Sequence, residues 1–496
     1  MNVLRNKKTT QEFLFDKSFF ESRISFYLLL FISALLIFND LSKPGLPSND
    51  DCAKAQRGWE MLKSGDFFTP TLAGRPNFDH PPLYVGMLAS SMAAFGKTEF
   101  AARFPGALCA FLVILAVYET GKALKNRAAG WWAGFFLVTS YIFLKVSRRV
   151  QADIPFMLFA TLAMMFFIRA IKKAEQKDSV QRKKIWLEFA GFGVCAGFAG
   201  LIKSVFIAFP LGTPFVVLLL EPRIRKKLAL PYLASSTIAV IIAGWWYLYE
   251  FIFYKNRFVE EFIGKFLKHH AGGGSGMGKF GHFGYLYEFT RHFLPWLPLL
   301  FLCIWWAVKS EKIRKNIYVH LLAIYAALPV LVLSFLGDKA VRYILFIFAP
   351  VTLIMALALT ERLRPSELVK YAKIAVVSVS LISAFVILRP IDYDNTPNSS
   401  YMTLSSMIGR GRVTLMEDVD IYYYGVDADF KGNYRGLLYY TELELSGMLR
   451  TENDINNMIN RSKPFYLIAD KRDINEFLIN NLQVVADLGG SLLMRR

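Results

Sequence analysis

Long apolar runs constrain this chain more than any other feature. SFYLLLFISALLIF, ALCAFLVILAVY and VTLIMALALT sit in windows of near-membrane length with few or no charges. A helix of about 20 such residues crosses the roughly 30 Å of hydrocarbon in a bilayer. Backbone N–H and C=O groups find no water there, so each run must satisfy them internally, as a helix. The chain is 54% hydrophobic and only 20% charged, which excludes an ordinary soluble domain of 496 residues. The fold class expected is a polytopic α-helical membrane protein of about 11–13 transmembrane helices. Eleven windows carry the expectation: 24–38, 103–121, 129–146, 154–171, 187–202, 204–220, 230–253, 285–308, 317–336, 343–360 and 372–388. The first follows Arg5, Lys7, Lys8, Lys17 and Arg23 and has no convincing small-residue cleavage site, so it reads as an uncleaved signal-anchor.

The net charge of +19 points to topology and not to nucleic acid, because most of it lies in short loops between the runs. The stretch 83–96 decides the arrangement. If it crosses the membrane, the basic loop Lys122–Arg127 falls outside and every later basic loop is inverted. If it is a half-span or interfacial helix, the tail, 122–127, 172–184, 222–227, 309–315 and 361–373 all lie inside. The second arrangement is expected. It places 39–102, the link Arg148–Asp153, Lys203, the loop 254–284, Gly337–Arg342 and everything after Arg389 on the outer face. Cys52, Cys109, Cys195 and Cys303 are scattered and show neither a disulfide framework nor zinc spacing.

Beyond residue 389 the pattern changes. VTLMEDVDIYYYG and PFYLIAD read as strands, and TENDINNMINRS and RDINEFLINN as amphipathic helices. Two domains are expected: a transmembrane domain over 1–388, with outer loops 39–102 and 254–284 carrying the site, and a small C-terminal α/β domain over 389–496 on the outer face. Ala55, Trp59 and Leu62 follow helical spacing, so the first outer loop is expected to hold a juxtamembrane helix.

Chemistry gathers on that outer face. The first loop has Asp50 and Asp51 side by side, then Asp79 and His80 ahead of Pro81-Pro82, which stop a helix and favour an extended backbone. A solvated loop end accounts for any one carboxylate alone. Asp153 opens a span, where the helix macrodipole also favours an acid. Lys203 interrupts CAGFAGLIKSVFIAFPLG, where an ammonium is costly unless it faces a polar cavity or an anion. His269, His270, Lys279 and His282 surround a glycine-rich stretch that reads as a mobile lid or a connector. These histidines, with Asp79 and His80, allow a divalent metal but do not require one, since no ligand spacing on a helix face supports it. Arg342 and Tyr343 mark another outer boundary. Cations suit a phosphate at headgroup level, and acids suit a general base for a hydroxyl nucleophile. Together they describe group transfer from a lipid-linked phosphate donor.

The order of these segments resembles the GT-C glycosyltransferases, specifically the branch holding the bacterial lipid A aminoarabinose transferases and the protein O-mannosyltransferase relatives. The resemblance is clearest over 41–220. It rests on Asp50-Asp51, Met61-Leu62, Gly65-Asp66 and Phe78-Asp79-His80-Pro81-Pro82, then Asp153, Lys203-Ser204 and Arg342-Tyr343. It implies an inverting transferase that uses a polyprenyl-phosphate-linked sugar donor at the outer face of the inner membrane. Asp50 and Asp153 then take the catalytic positions. Lys203, Arg342 and Tyr343 line a lipid-phosphate cavity, His282 maps to a loop histidine, and Asp51, Asp79 and His80 bind donor or acceptor. The aminoarabinose transferases carry Glu-Lys-Pro where this chain has Asp79-His80-Pro81, so a permanent cation gives way to a titratable imidazole. Lipid A, another envelope glycan and protein all stay open as acceptors.

A flippase or transporter of a lipid-linked sugar is the rival reading. Transporters carry internal repeats and ionisable groups near mid-membrane. No fixed-period repeat is visible here, and the ionisable residues cluster at one face, which favours the enzyme.

Overall fold

The computed structural model describes residues 19–43, 45–46, 48–176, 181–270, 281–335, 341–388, 399–416, 419–424, 430–443, 446–460, 463–489 and 491–496. The chain divides into two compact units, the first of Met1–Leu41, Phe78–Tyr84 and Arg103–Ile391, the second of Ser42–Asn77, Val85–Ala102 and Asp392–Arg496.

Among the described residues every apolar window is mainly helical. Among the described residues six helices are long and apolar enough to cross a membrane, or eight if each of two bent pairs is one span. This is a multi-pass membrane protein. Most of the gap to eleven has a structural cause. Of the eleven windows, 24–38 is the Arg23–Phe38 helix of 16 residues; the Pro82–Phe95 helix, kept out of that count as a half-span, has 14. At about 1.5 Å per residue these reach roughly 24 and 21 Å, short of the hydrocarbon thickness. The windows 187–202 and 204–220 form one apolar stretch, Arg182–Leu220, interrupted at Lys203 and Ser204. The windows 129–146 and 285–308 are each two helices, bent by 69° and 109°.

Within the first unit the Gln181–Lys203 helix packs against both Asp153–Glu175 and Pro222–His270. Its glycines explain how closely. A Cβ at Gly193 would lie 2.5 Å from the Ser235 carbonyl oxygen, and one at Gly197 would lie 2.6 Å from the Ile242 Cβ. Small residues at such spacing let backbones approach where lipid gives no hydrophobic drive. The expected outer loop 254–284 is corrected in its first half. After a break at Lys255 (φ 46°), helix continues to His270. Phe258 and Phe262 stack one turn apart at 5.5 Å, and Phe258 meets Trp246 edge-on at 5.9 Å, so this arm carries an apolar face with somewhere to go. The glycine-rich residues 271–280 lie outside the described residues.

The second unit joins the first outer loop to the C-terminal segment. The helix Asn49–Ser64 is followed by a short antiparallel hairpin, β1 (Thr71–Leu72) and β2 (Arg75–Pro76). A five-stranded sheet follows, made of β3 (Asp420–Tyr424), β4 (Gly447–Leu449), β5 (Phe465–Asp470), β6 (Gln483–Asp487) and β7 (Ser491–Arg495), in the order β4-β3-β5-β7-β6. β3 runs parallel to β4 and β5, and β7 runs antiparallel to β5 and β6. Side chains alternate across the sheet with period two. Ile421, Tyr466 and Ile468 meet Tyr401, Leu404 and Leu437 from the helices Ser399–Gly409 and Phe430–Thr441. Tyr424, Phe465 and Leu467 meet Ile455 and Leu478 from Glu452–Asn460 and Glu476–Asn481. The result is a three-layer α/β/α arrangement. The loop helix Asn49–Ser64 packs on Phe430–Thr441, with Ala53 buried beside Leu72 and Leu438. Residues 42–77 and 85–102, read from sequence as outer loops of the transmembrane domain, therefore group with the C-terminal α/β segment.

Candidate functional site

In the second unit the acidic pair begins a helix. Ser48 is its N-cap, and its hydroxyl accepts from the Asp51 N–H at 3.2 Å and stands 2.5 Å from the Asp51 carboxylate. Asp50 turns to a different partner. The Lys54 ammonium, one turn along, donates to its carboxylate at 2.5 Å. Adjacent in sequence, the two acids thus face separate partners, and Lys54 offsets the repulsion expected between them. The helix is polar yet buried: Asp51 is 0% exposed, Arg57 3%, Lys54 4% and Gln56 4%. Burial lowers the Lys54 pKa, while Asp50 and then Asp51 pull it back up. Taking this many polar groups out of water needs specific partners, so the helix is built around its charges. Sequence reading missed Lys54 and Arg57, and their signal was spacing: Asp50, Lys54 and Arg57 fall at i, i+4 and i+7, on one face.

Other residues of the resemblance prove architectural. Gly65 ends the helix in the left-handed region (φ 70°), and its N–H donates to the Met61 carbonyl. The Asp66 carboxylate accepts from the N–H groups of Phe68 and Thr69 at 2.9 and 3.2 Å. Met61 is buried against Val85 and Ala89. Glu60, not singled out before, grips the hairpin, accepting from the Thr71 hydroxyl at 2.8 Å and the Ala73 N–H at 2.9 Å.

The first unit holds a second cluster. Asp153 opens its helix and is 4% exposed, and Lys203 is 8% exposed. The Lys203 ammonium donates to the Asp153 carboxylate at 2.6 Å, so the acid does more than meet a helix dipole. The same ammonium lies 4.0 Å from the Phe206 ring centroid and 4.5 Å from that of Tyr343, and the Arg342 guanidinium stands 5.5 Å from the Tyr343 ring. Aromatic faces attract cations and replace part of their lost hydration. The chain leaves helical geometry at this point: Lys203 has φ −140° and ψ 55°, and a 3-10 turn, Ser204–Ile207, follows. That break carries Phe206 to the ammonium. Asp153, Lys203, Arg342 and Tyr343 are thereby brought together, with Phe206 added.

Asp79 and His80 are half-buried in a bend, not in a straight extended run. The prolines restrict local dihedrals, and Pro82 becomes the first residue of the next helix, where its missing N–H is harmless. Arg148, read as an interfacial anchor, donates twice to the Leu36 carbonyl, at 2.7 and 3.1 Å. The side chains of His269, His270 and His282, and residues 336–340, lie outside the described residues. Among the described residues no group of three or more His, Cys, Asp or Glu converges as a metal site.

A family model described as dolichyl-phosphate-mannose-protein mannosyltransferase matches residues 79–247, which include Asp79, His80, Asp153 and Lys203. Among solved structures, ArnT from Cupriavidus metallidurans bound to undecaprenyl phosphate superposes with a TM-score of 0.70 at 16% identity, covering 95% of this chain and 97% of that one. The fold is GT-C. An undecaprenyl phosphate-α-4-amino-4-deoxy-L-arabinose arabinosyl transferase of Pseudomonas fluorescens is 26% identical over 353 residues, 68% of this chain. The alignment takes in 60% of that relative's length, less than two thirds. An uncharacterized protein of Aquifex aeolicus is 24% identical over 355 residues, 67% of this chain and 68% of that protein. The GT-C resemblance read from the motifs is therefore also present in overall fold and in alignable sequence.

Proposed function

We propose that this chain is an inverting glycosyltransferase. It moves a sugar from a polyprenyl-phosphate donor to a hydroxyl or phosphate of a lipid A, envelope-glycan or protein acceptor. The reaction is assigned to the outer, periplasmic face of a bacterial inner membrane. One observation carries the reading: the buried Lys203 cation, held by Asp153 between the Phe206 and Tyr343 rings, in a chain of GT-C fold.

The roles follow from charge. Lys203 and Arg342 supply positive charge for the donor phosphate, with Arg342 able to hold two oxygens at once. Asp50 serves as general base for a hydroxyl acceptor. The acceptor oxygen gives its proton to Asp50 and attacks the sugar's anomeric carbon. As the new C–O bond forms, the bond to the phosphate oxygen breaks, and its electron pair leaves with the lipid phosphate. Attack opposite the leaving group inverts the anomeric centre. Asp153 orients Lys203, and Asp79 and His80 are assigned to donor or acceptor binding. No step requires a metal.

Asp50→Asn tests the base. Sugar transfer is expected to vanish while membrane insertion and undecaprenyl phosphate binding stay normal, and retained turnover overturns the assignment. Mass spectrometry of envelope lipids and glycoproteins from cells lacking the gene identifies sugar and acceptor together. An unchanged envelope in such cells, with lipid-linked sugar accumulating on the inner leaflet, supports a flippase instead.

A further inference from the structure

The helix that carries Asp50, together with its approach, is held by Leu438, Tyr440 and Glu442 of the C-terminal segment. Upstream of the Ser48 cap, the Tyr440 hydroxyl accepts from the Leu46 N–H at 2.7 Å and faces the Glu99 carboxylate at 3.4 Å. That carboxylate in turn accepts from the Gly45 N–H at 3.2 Å. Burial raises the Tyr440 pKa well above its ordinary value, so the hydroxyl keeps its proton as a donor. In the second turn, Leu438 packs on Ala53. At the far end, the Glu442 carboxylate accepts from the Trp59 indole N–H at 3.0 Å and from the Lys63 and Lys97 ammonium groups at 2.5 and 3.2 Å. Lys97 also lies 5.3 Å from the Trp59 ring centroid and 5.1 Å from that of Tyr439. Glu442 adopts φ +59°, a left-handed conformation that a residue with a side chain keeps only where its surroundings over-determine it.

From this geometry we infer that Tyr440 and Glu442 are positioning residues for Asp50. The C-terminal α/β segment fixes the register and tilt of the Asn49–Ser64 helix and thereby sets where the base stands. Tyr440 holds the entry to the helix and Glu442 its last turns, so losing both leaves the helix free to pivot about the Ala53–Leu438 contact. The inference rests on the proposed role of Asp50 and extends it to residues nearly four hundred positions away.

The test uses full-length variants in cells lacking the chromosomal gene. Transfer is read as modified product at matched membrane levels, and each purified variant is probed for undecaprenyl phosphate binding. A displacement of the order of 1 Å can slow a reaction by about 100-fold, the loss expected for Tyr440→Phe/Glu442→Ala with undecaprenyl phosphate affinity unchanged. Lys471→Ala breaks an exposed ion pair with Asp487 on the same sheet and is expected to alter neither readout. Joint loss of transfer and lipid binding in the double variant overturns the positioning role in favour of general structural support. Full transfer in the double variant, beside an inactive Asp50→Asn, overturns the inference alone. Turnover in Asp50→Asn overturns the proposed function beneath it.

Discussion

Lys54 stands 2.5 Å from Asp50, with a side chain only 5% exposed where the acid's is 37% exposed. The pair is asymmetric: the cation is buried while the carboxylate keeps an open side. A general base needs that arrangement, because the acceptor must reach the acid and not its counter-ion. Lys54→Met is expected to lower sugar transfer by about 10–100-fold, less than the roughly 10²–10⁴-fold of general acid–base catalysis because the base itself remains. Lys54→Arg, which keeps the charge, is expected to retain most of it. Initial rates at saturating acceptor distinguish the two.

The same lysine gives an alkaline prediction. Burial sets its folded pKa below the ordinary 10.5. Between the two values folding releases a proton, so its contribution to stability rises with pH. Transfer runs the other way, since Asp50 loses its counter-ion as Lys54 deprotonates. Activity is expected to fall in a range where thermal stability does not, and Lys54→Arg is expected to move that fall to higher pH. Parallel pH profiles of rate and unfolding temperature check this.

Breaking the Asp153–Lys203 pair strands a buried charge. Lys203→Met alone is expected to destabilise by about 3–5 kcal/mol, as removing one partner of a buried pair does. Asp153→Leu/Lys203→Met recovers most of that stability but no transfer. Unfolding in detergent, followed alongside activity, separates the structural from the chemical role.

Glu442 gives the acid-side prediction. Lys63 above all, with Lys97 and Trp59, holds its pKa down from 4.5 to about 2. A depressed carboxylate stabilises fully above its unfolded pKa, and the contribution fades as pH falls towards the folded one. The grip on the Asn49–Ser64 helix is therefore expected to be constant from neutral pH to about 4.5 and to weaken below it. Glu442→Gln is expected to flatten that acid loss. Protease nicking of the 42–77 segment across this range reports it.

Much of the first unit was legible because lipid imposes one rule on every run it surrounds. Apolar length predicted helix, and Lys203 stood out because an ammonium has no bland place in such a run. Span number was less legible, because the bends at 139–140 and 293–296 and the break at 203–204 depend on tertiary packing. Phe206 could not be assigned to the Lys203 cluster from sequence, since only the 3-10 turn carries its ring there. In the second unit, β3 and β5 were legible as short apolar runs, β5 buried at five successive residues, but nothing local says that Asn49–Ser64 pairs with Phe430–Thr441. Met61, Gly65 and Asp66 were noticed for a motif and proved to be a packing contact, a helix stop and a turn.

That pairing has a consequence for biosynthesis. Trp59 and Glu442 are 383 residues apart. At synthesis rates of about 5–20 residues per second the gap is on the order of 20–75 s. During that interval the polar Asn49–Ser64 helix exists without the surface that later covers it. The nascent chain carries its proposed catalytic base unassembled until the final hundred residues are made. A truncated product can thus insert its spans and still be inert, a safeguard against premature chemistry on the donor lipid.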